Sequence, residues 1–196
     1  MLSALQDEKE DPRITRTRGL LEKAFMEVVA EKNFQSVSVK DITQRAGVNR
    51  ATFYAHFDDK YDLLDYSIRI RFRQELEKRT LNVCTFNVEN LHALIVTVCE
   101  FIATASSHCN PPSLQFDSLM ETQVKAQVQE LVQNWIEKLE TQAEPGLAAT
   151  AASWAIYGLA LQWSRNKSKT RPSATLFAEQ VLPLIAANLG LMLPKR

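Results

Sequence analysis

Between Asp41 and Phe57 the chain reads DITQRAGVNRATFYAHF, two short helical phrases separated by a glycine. Ile42 and Ala46 lie four residues apart, so they share one side of the first phrase. Phe53 and Phe57 do the same in the second. Gly47 stands near the junction, where a left-handed backbone would turn the chain sharply, a conformation open to glycine without strain. Ala46 keeps the crossing point small, and Val48 can plug the corner. Two short helices joined this tightly have few ways to pack. The layout is that of a helix-turn-helix, a motif whose second helix enters the major groove of DNA.

Helical spacing continues on both sides of this segment. From about Arg13 to Lys32, Leu21, Phe25 and Val28 form one stripe, with Leu20 and Ala24 beside it. The run FQSVS breaks that helix. Ser38 is placed to cap the next one, with Asp41 in its first turn, where a carboxylate suits the helix dipole. That helix reaches about Ala46, a third begins at Asn49, and Asp58 or Asp59 caps a fourth. IRIRFR (68–73) alternates like a strand. However, Leu64, Ile68, Phe72 and Leu76 step in fours, and no other strand-like run exists to pair with it, so it is expected to be helical. Further helices are expected near Val88–Ser106, Ser118–Gln142, Gly146–Arg165 and Ser173–Leu191. In the second of these, Val124, Val128, Leu131, Trp135 and Leu139 form an apolar stripe. Breakers lie between them at Asn110-Pro111-Pro112, Glu144-Pro145-Gly146 and NKSKTRPS. The expectation is an all-α protein of about nine helices.

The second helix of the motif sorts its side chains by direction. With Phe53 and Phe57 turned inward, Ala51, Thr52 and Ala55 turn outward. Arg50 and Tyr54 flank one side and His56 the other. Small residues at the outer centre let a helix axis approach base edges and meet a thymine methyl, while an arginine in the first turn offers a fork to guanine. The base-reading candidates are therefore Lys40, Arg50, Ala51 and Thr52. The phosphate-contacting candidates are Arg16, Arg18, Ser38, Asn49, Tyr54, His56 and Lys60, which would fix register without reading sequence.

The segment resembles the N-terminal domain of the tetracycline-repressor (TetR) family of bacterial transcription regulators. Val39, Asp41, Ile42, Ala46-Gly47-Val48, Phe53-Tyr54, His56-Phe57, Lys60 and Leu63-Leu64 carry the likeness, which extends over about Arg13 to Leu76. Arg50-Ala51 departs from the small residue usual after the cap, and so changes the details of base reading. The resemblance implies an all-α homodimer whose two C-terminal helices form a four-helix bundle with a partner's. It also implies a small-molecule effector in the C-terminal domain that releases double-stranded operator DNA. Ligand-independent DNA binding, or a helical ligand-binding protein that binds no DNA, are the alternatives. The expected organisation is a tail over 1–12, a DNA-binding domain over 13–60 and a ligand and dimerisation domain over 61–196, joined by a helix over about 59–79.

Charge agrees with a polyanion at one end. Between Arg13 and Phe57 there are 8 bases against 4 acids, whereas from Leu81 onward there are 8 bases against 9 acids. Cys84, Cys99 and Cys109 are an odd number without disulfide-framework or zinc spacing. A reduced cytoplasmic setting is expected, with no metal and no cofactor. MLSALQDEKEDP is acidic and lacks an apolar core, unlike a signal peptide. The stretch 145–164 is uncharged for about the length of a membrane span. It is rich in Ala, Thr, Ser and Gln, which suits a buried interface helix and not a membrane. Ala151, Ala155 and Gly158 on it would allow close helix approach in a dimer. Phe101, Trp135, Trp154 and Tyr157 are the candidates for a ligand site, with Trp163 nearby. No nucleophile triad, carboxylate pair or phosphate loop is visible, so no enzyme activity is expected.

Overall fold

The computed structural model describes residues 11–79, 86–108, 114–139 and 144–191, whose regular structure is all helical. In chain order the helices are α1 (Pro12–Glu31), α2 (Val39–Ala46), α3 (Arg50–Tyr54), α4 (Lys60–Arg79), α5 (Val88–His108), α6 (Leu114–Ile136), α7 (Pro145–Arg165) and α8 (Ala174–Asn188). A single 3-10 turn, Phe34–Ser36, lies between α1 and α2. Among the described residues there are thus eight α-helices, close to the nine expected. Cys84, Cys109 and the tail before Asp11 lie outside the described residues. Pro12, placed by the sequence in that tail, opens α1, with the Asp11 side chain accepting from the Arg13 amide.

The chain divides into two compact units, one comprising Met1–Ile68 with Ser106–Leu119, the other Arg69–Ala105 with Met120–Arg196. In the first, Leu21, Ala24, Phe25 and Val28 of α1 are buried together with Ile42, Phe53, Phe57, Leu63 and Leu64. Phe34, from the 3-10 turn, is packed edge-on between Phe25 and Tyr61. Leu20, expected beside the α1 stripe, is instead 45% exposed, because a helix stripe has two borders and only one of them meets the core.

The second unit begins within α4. Phe72 and Leu76 are buried there, continuing the four-residue step from Leu64 and Ile68, so the alternating IRIRFR run is helix, as expected. Helix α5 buries Leu91, Leu94, Ile95, Val98, Cys99 and Ile102, and it is the one described helix long and apolar enough to cross a membrane. It is a core helix here, half of its apolar window being buried. The 145–164 stretch singled out by its lack of charge does not meet that criterion. Helix α6 begins at Leu114, before the Ser118 expected, and ends at Ile136, leaving Leu139 outside it. Pro145 begins α7, whose first free amides, Gly146 and Leu147, donate to the Glu144 side chain. The α7–α8 loop is ordered by Trp163, whose Nε1 donates to the Pro172 carbonyl at 2.9 Å and whose ring lies under Arg171.

Candidate nucleic-acid interface

Helix α2 starts with a reciprocal cap. The Asp41 amide donates to Ser38 Oγ, while the Ser38 amide and hydroxyl donate to Asp41 Oδ2 at 2.8 and 2.6 Å. Lys32 Nζ, at 2.7 Å, joins the same carboxylate oxygen. These donors, Lys32 first and then Ser38, hold the Asp41 carboxyl far below the usual carboxylate range. At the other end Gly47 has φ 69°, the left-handed cap that the sequence called for, and the Val48 amide donates back to Thr43. Asn49 then caps α3, its Oδ1 accepting from the Thr52 amide at 2.7 Å and the Thr52 hydroxyl at 3.0 Å. Phe53 is fully buried and Phe57 nearly so, their rings 5.9 Å apart.

The helix ends at Tyr54, short of Phe57, and with Phe53 and Phe57 buried α3 and the turn after it face the rest of their surface outward. Arg50, Ala51, Tyr54 and Ala55 are exposed, and Thr52 and His56 half-exposed. The Arg50 guanidinium lies 5.9 Å from the Tyr54 ring centre and donates to the Tyr54 hydroxyl at 3.3 Å. The pair forms one hydrogen-bonded unit on the outer surface, not two independent side chains. Lys40 on α2 and Arg16 on α1 are exposed as well.

Other expected DNA contacts are engaged within the fold. Ser38 donates its hydroxyl proton to Asp41, and Thr52 donates its own to Asn49. The Arg18 guanidinium lies over the paired rings of Phe57 and Tyr66, 5.9 and 5.8 Å from their centres. Lys60 departs furthest from expectation. Its ammonium donates to the carbonyls of Phe34, Gln35 and Val37 at 3.1, 3.0 and 3.0 Å, so an ammonium's three protons have three acceptors inside the protein. Burial pushes its pKa down. A lysine at the start of a helix opposes the helix dipole, and that mismatch is the sequence signal that could have flagged it. Arg45, exposed and cationic, is ion-paired with Glu31 at 2.7 Å and Glu27 at 3.4 Å; the Glu31 contact raises its pKa most and lowers that of Glu31.

The expected ligand candidates separate. The Phe101 ring meets Phe72 at 5.0 Å, Trp135 is fully buried against Phe86, and Tyr157 is buried. Trp154 is 59% exposed with Lys125 Nζ 3.1 Å from its ring centre, so it belongs to the outer surface of the second unit and not to an interior site. The Cys99 thiol, buried and close to Glu100, is pushed up to about 12, first by that burial, which leaves it un-ionised and unreactive at neutral pH. His92 Nε2 donates to the Thr175 carbonyl, and no group of three metal-ligating side chains occurs among the described residues.

Residues 21–66 match the family model of bacterial regulatory proteins of the tetR family. Over 65 residues the chain is 40% identical to an uncharacterised HTH-type transcriptional regulator, YxbF, of Bacillus subtilis; the matched segment is 33% of this chain and 17% of that relative's length. Among solved structures, a TetR-family regulator from Syntrophomonas wolfei superposes with TM-score 0.58 at 17% identity, over 92% of this chain and 99% of the other. The regulator FadR of Bacillus subtilis, in complex with stearoyl-CoA, gives 0.56 at 18% identity, over 87% and 98%. These two likenesses are of fold.

Proposed function

We propose that the chain, whose residues 21–66 match the family model of bacterial regulatory proteins of the tetR family, is a cytoplasmic homodimeric transcriptional regulator, a repressor that binds a near-palindromic operator. One observation supports the reading above the others. A helix-turn-helix capped at Ser38, Gly47 and Asn49 presents Arg50, Ala51, Tyr54 and Ala55 to solvent. In this reading α3 enters the major groove, where the two alanines allow close approach and Arg50, steadied by Tyr54, reads a guanine. Lys40 and Arg16 supply charge toward the backbone.

The homodimer is proposed through α7 and α8, which expose Leu147, Ala151, Trp154, Gly158, Leu176 and Leu184 on the outside of the second unit. Exposed apolar side chains at helical spacing, set among small residues, suit a second copy. Paired half-sites are read about one helical turn apart. An effector that favours one of two separations of the recognition helices would therefore release the DNA. The effector is proposed to be a small molecule with an apolar portion. FadR, a neighbour in fold, holds stearoyl-CoA, and the second unit here packs apolar and aromatic side chains together, Trp135 against Phe86 and Phe101 against Phe72.

The test is selection of duplexes from a random pool by the full-length protein, followed by titration of the selected and a scrambled duplex. Arg50→Ala is expected to weaken the selected duplex by about 1–3 kcal/mol and relax preference at one base pair per half-site. Equal loss on both duplexes would make Arg50 a phosphate contact. Failure of the wild type to select any duplex at low salt would remove the reading altogether.

A further inference from the structure

The Lys60 ammonium links the two ends of the helix-turn-helix. Val37 is the last residue before the α2 cap and Lys60 the first of α4, so the bond between them brackets residues 38–59, the motif in full. Its other two bonds go to Phe34 and Gln35 in the 3-10 turn. The bonds to the Phe34 and Val37 carbonyls are part-buried, and without Lys60 the Phe34 carbonyl would keep only the Val37 amide as donor, while the Val37 carbonyl would lose its charged one. The Phe34 and Tyr61 rings lie 4.8 and 5.5 Å from the nitrogen and complete the cage. The helix start that carries this cation is compensated by Asp59, whose Oδ1 accepts from the amides of Tyr61 and Asp62.

Resting on the DNA-binding reading above, we propose that Lys60 is a positioning residue for recognition. It clamps the entry of α2 to the exit of α3, so that α3 is presented at one angle, and it makes no bond to the phosphates. Geometry excludes a simple substitute. Three carbonyls converge on one nitrogen, which an ammonium satisfies and a planar guanidinium does not. A phosphate contact, by contrast, would be kept by arginine.

The experiment compares wild type, Lys60→Arg and Lys60→Met in the full-length protein, using the duplex that wild type selects, across a salt series. Hydrogen exchange at the Ser36, Val37 and Leu63 amides is measured without DNA. A clamp predicts that both variants lose affinity by about tenfold or more, the loss expected when a charged hydrogen-bond donor is removed from part-buried acceptors. It also predicts an unchanged salt slope and faster exchange at those amides. A phosphate contact predicts wild-type affinity for Lys60→Arg, a salt slope for Lys60→Met reduced by about 0.9 per lost contact, and unchanged exchange; that outcome overturns the proposal. Should Lys60→Met fail to fold, Lys60→Arg decides alone, by its affinity and exchange. If the wild type selects no duplex, the DNA-binding reading itself has failed, and the exchange measurement separates that result from failure of the clamp.

Discussion

Residues 38–59 keep many of their polar side chains in bonds to their own surroundings. Ser38 and Asp41 cap each other, Asn49 caps α3, and Lys60 closes the segment. Between Pro145 and Asn188 the side-chain hydrogen bonds lie mainly within α7 and in the α7–α8 loop, and the exposed side chains include Leu147, Trp154, Leu176 and Leu184. The first region supplies its own order, and what it leaves outward on α3 (Arg50, Ala51, Tyr54) is small, cationic or aromatic with a polar edge. The second leaves outward what water disfavours. Burying such side chains is worth about 1.5–3 kcal/mol each, so the difference marks one surface suited to a hydrated polyanion and another suited to an apolar copy of itself.

The largest effect is expected where the contrast is sharpest. Ala151 faces solvent in the protomer, so Ala151→Glu should leave the fold intact while placing an uncompensated charge in the proposed dimer contact. The expected cost to assembly is roughly 3–5 kcal/mol, seen as monomers in sedimentation velocity, with thermal unfolding of the helix-turn-helix unchanged. A variant still dimeric at micromolar concentration would move the contact away from α7.

A smaller effect is expected at the corner of the motif. Gly47 has φ 69°, yet a Cβ built on it meets nothing within 4 Å. The penalty of Gly47→Ala is therefore conformational alone, about 1–2 kcal/mol, read by urea unfolding, and dimerisation should not change. Altered assembly in this variant would mean that the two regions are not as separable as their chemistry suggests.

The smallest expected effect is electrostatic. Asp41 is held well below its ordinary pKa by Lys32 and then Ser38, so the stabilisation it gives is complete above its unfolded pKa of about 3.9. It is lost as pH falls through the lower folded value. Asp41→Asn should lower Tm slightly at pH 7, by an amount limited by solvent screening. The gap to wild type should narrow as the pH is taken below about 4. A gap independent of pH would assign the whole effect to the cap's geometry.

What could be read along the chain was what neighbours in sequence decide. The Ser38–Asp41 cap, the Gly47 turn, the inward Phe53 and Phe57 and the helical reading of IRIRFR all follow from spacings of three or four residues. Contacts across longer distances follow no such spacing. Lys60 meets Phe34 and Val37 across 26 and 23 positions, and Arg18 reaches Phe57 and Tyr66, whereas in the sequence their charge alone points toward DNA. Trp154 was grouped with Trp135 because both are large and aromatic. Helical spacing alone does not say which side of α7 meets a neighbour.

The corner at Gly47 also has a handedness. A φ of 69° is the mirror image of the ordinary helical region, and open space around the missing Cβ leaves stereochemistry as the sole discriminator. A residue of the opposite hand would be at ease there. D-alanine, introduced at position 47 by chemical ligation, should take up this φ without backbone strain and narrow the unfolded ensemble, making the protein about 0.4–1 kcal/mol more stable than with glycine. In a chain restricted to one enantiomer, glycine at this turn is the nearest available approximation to a D-residue.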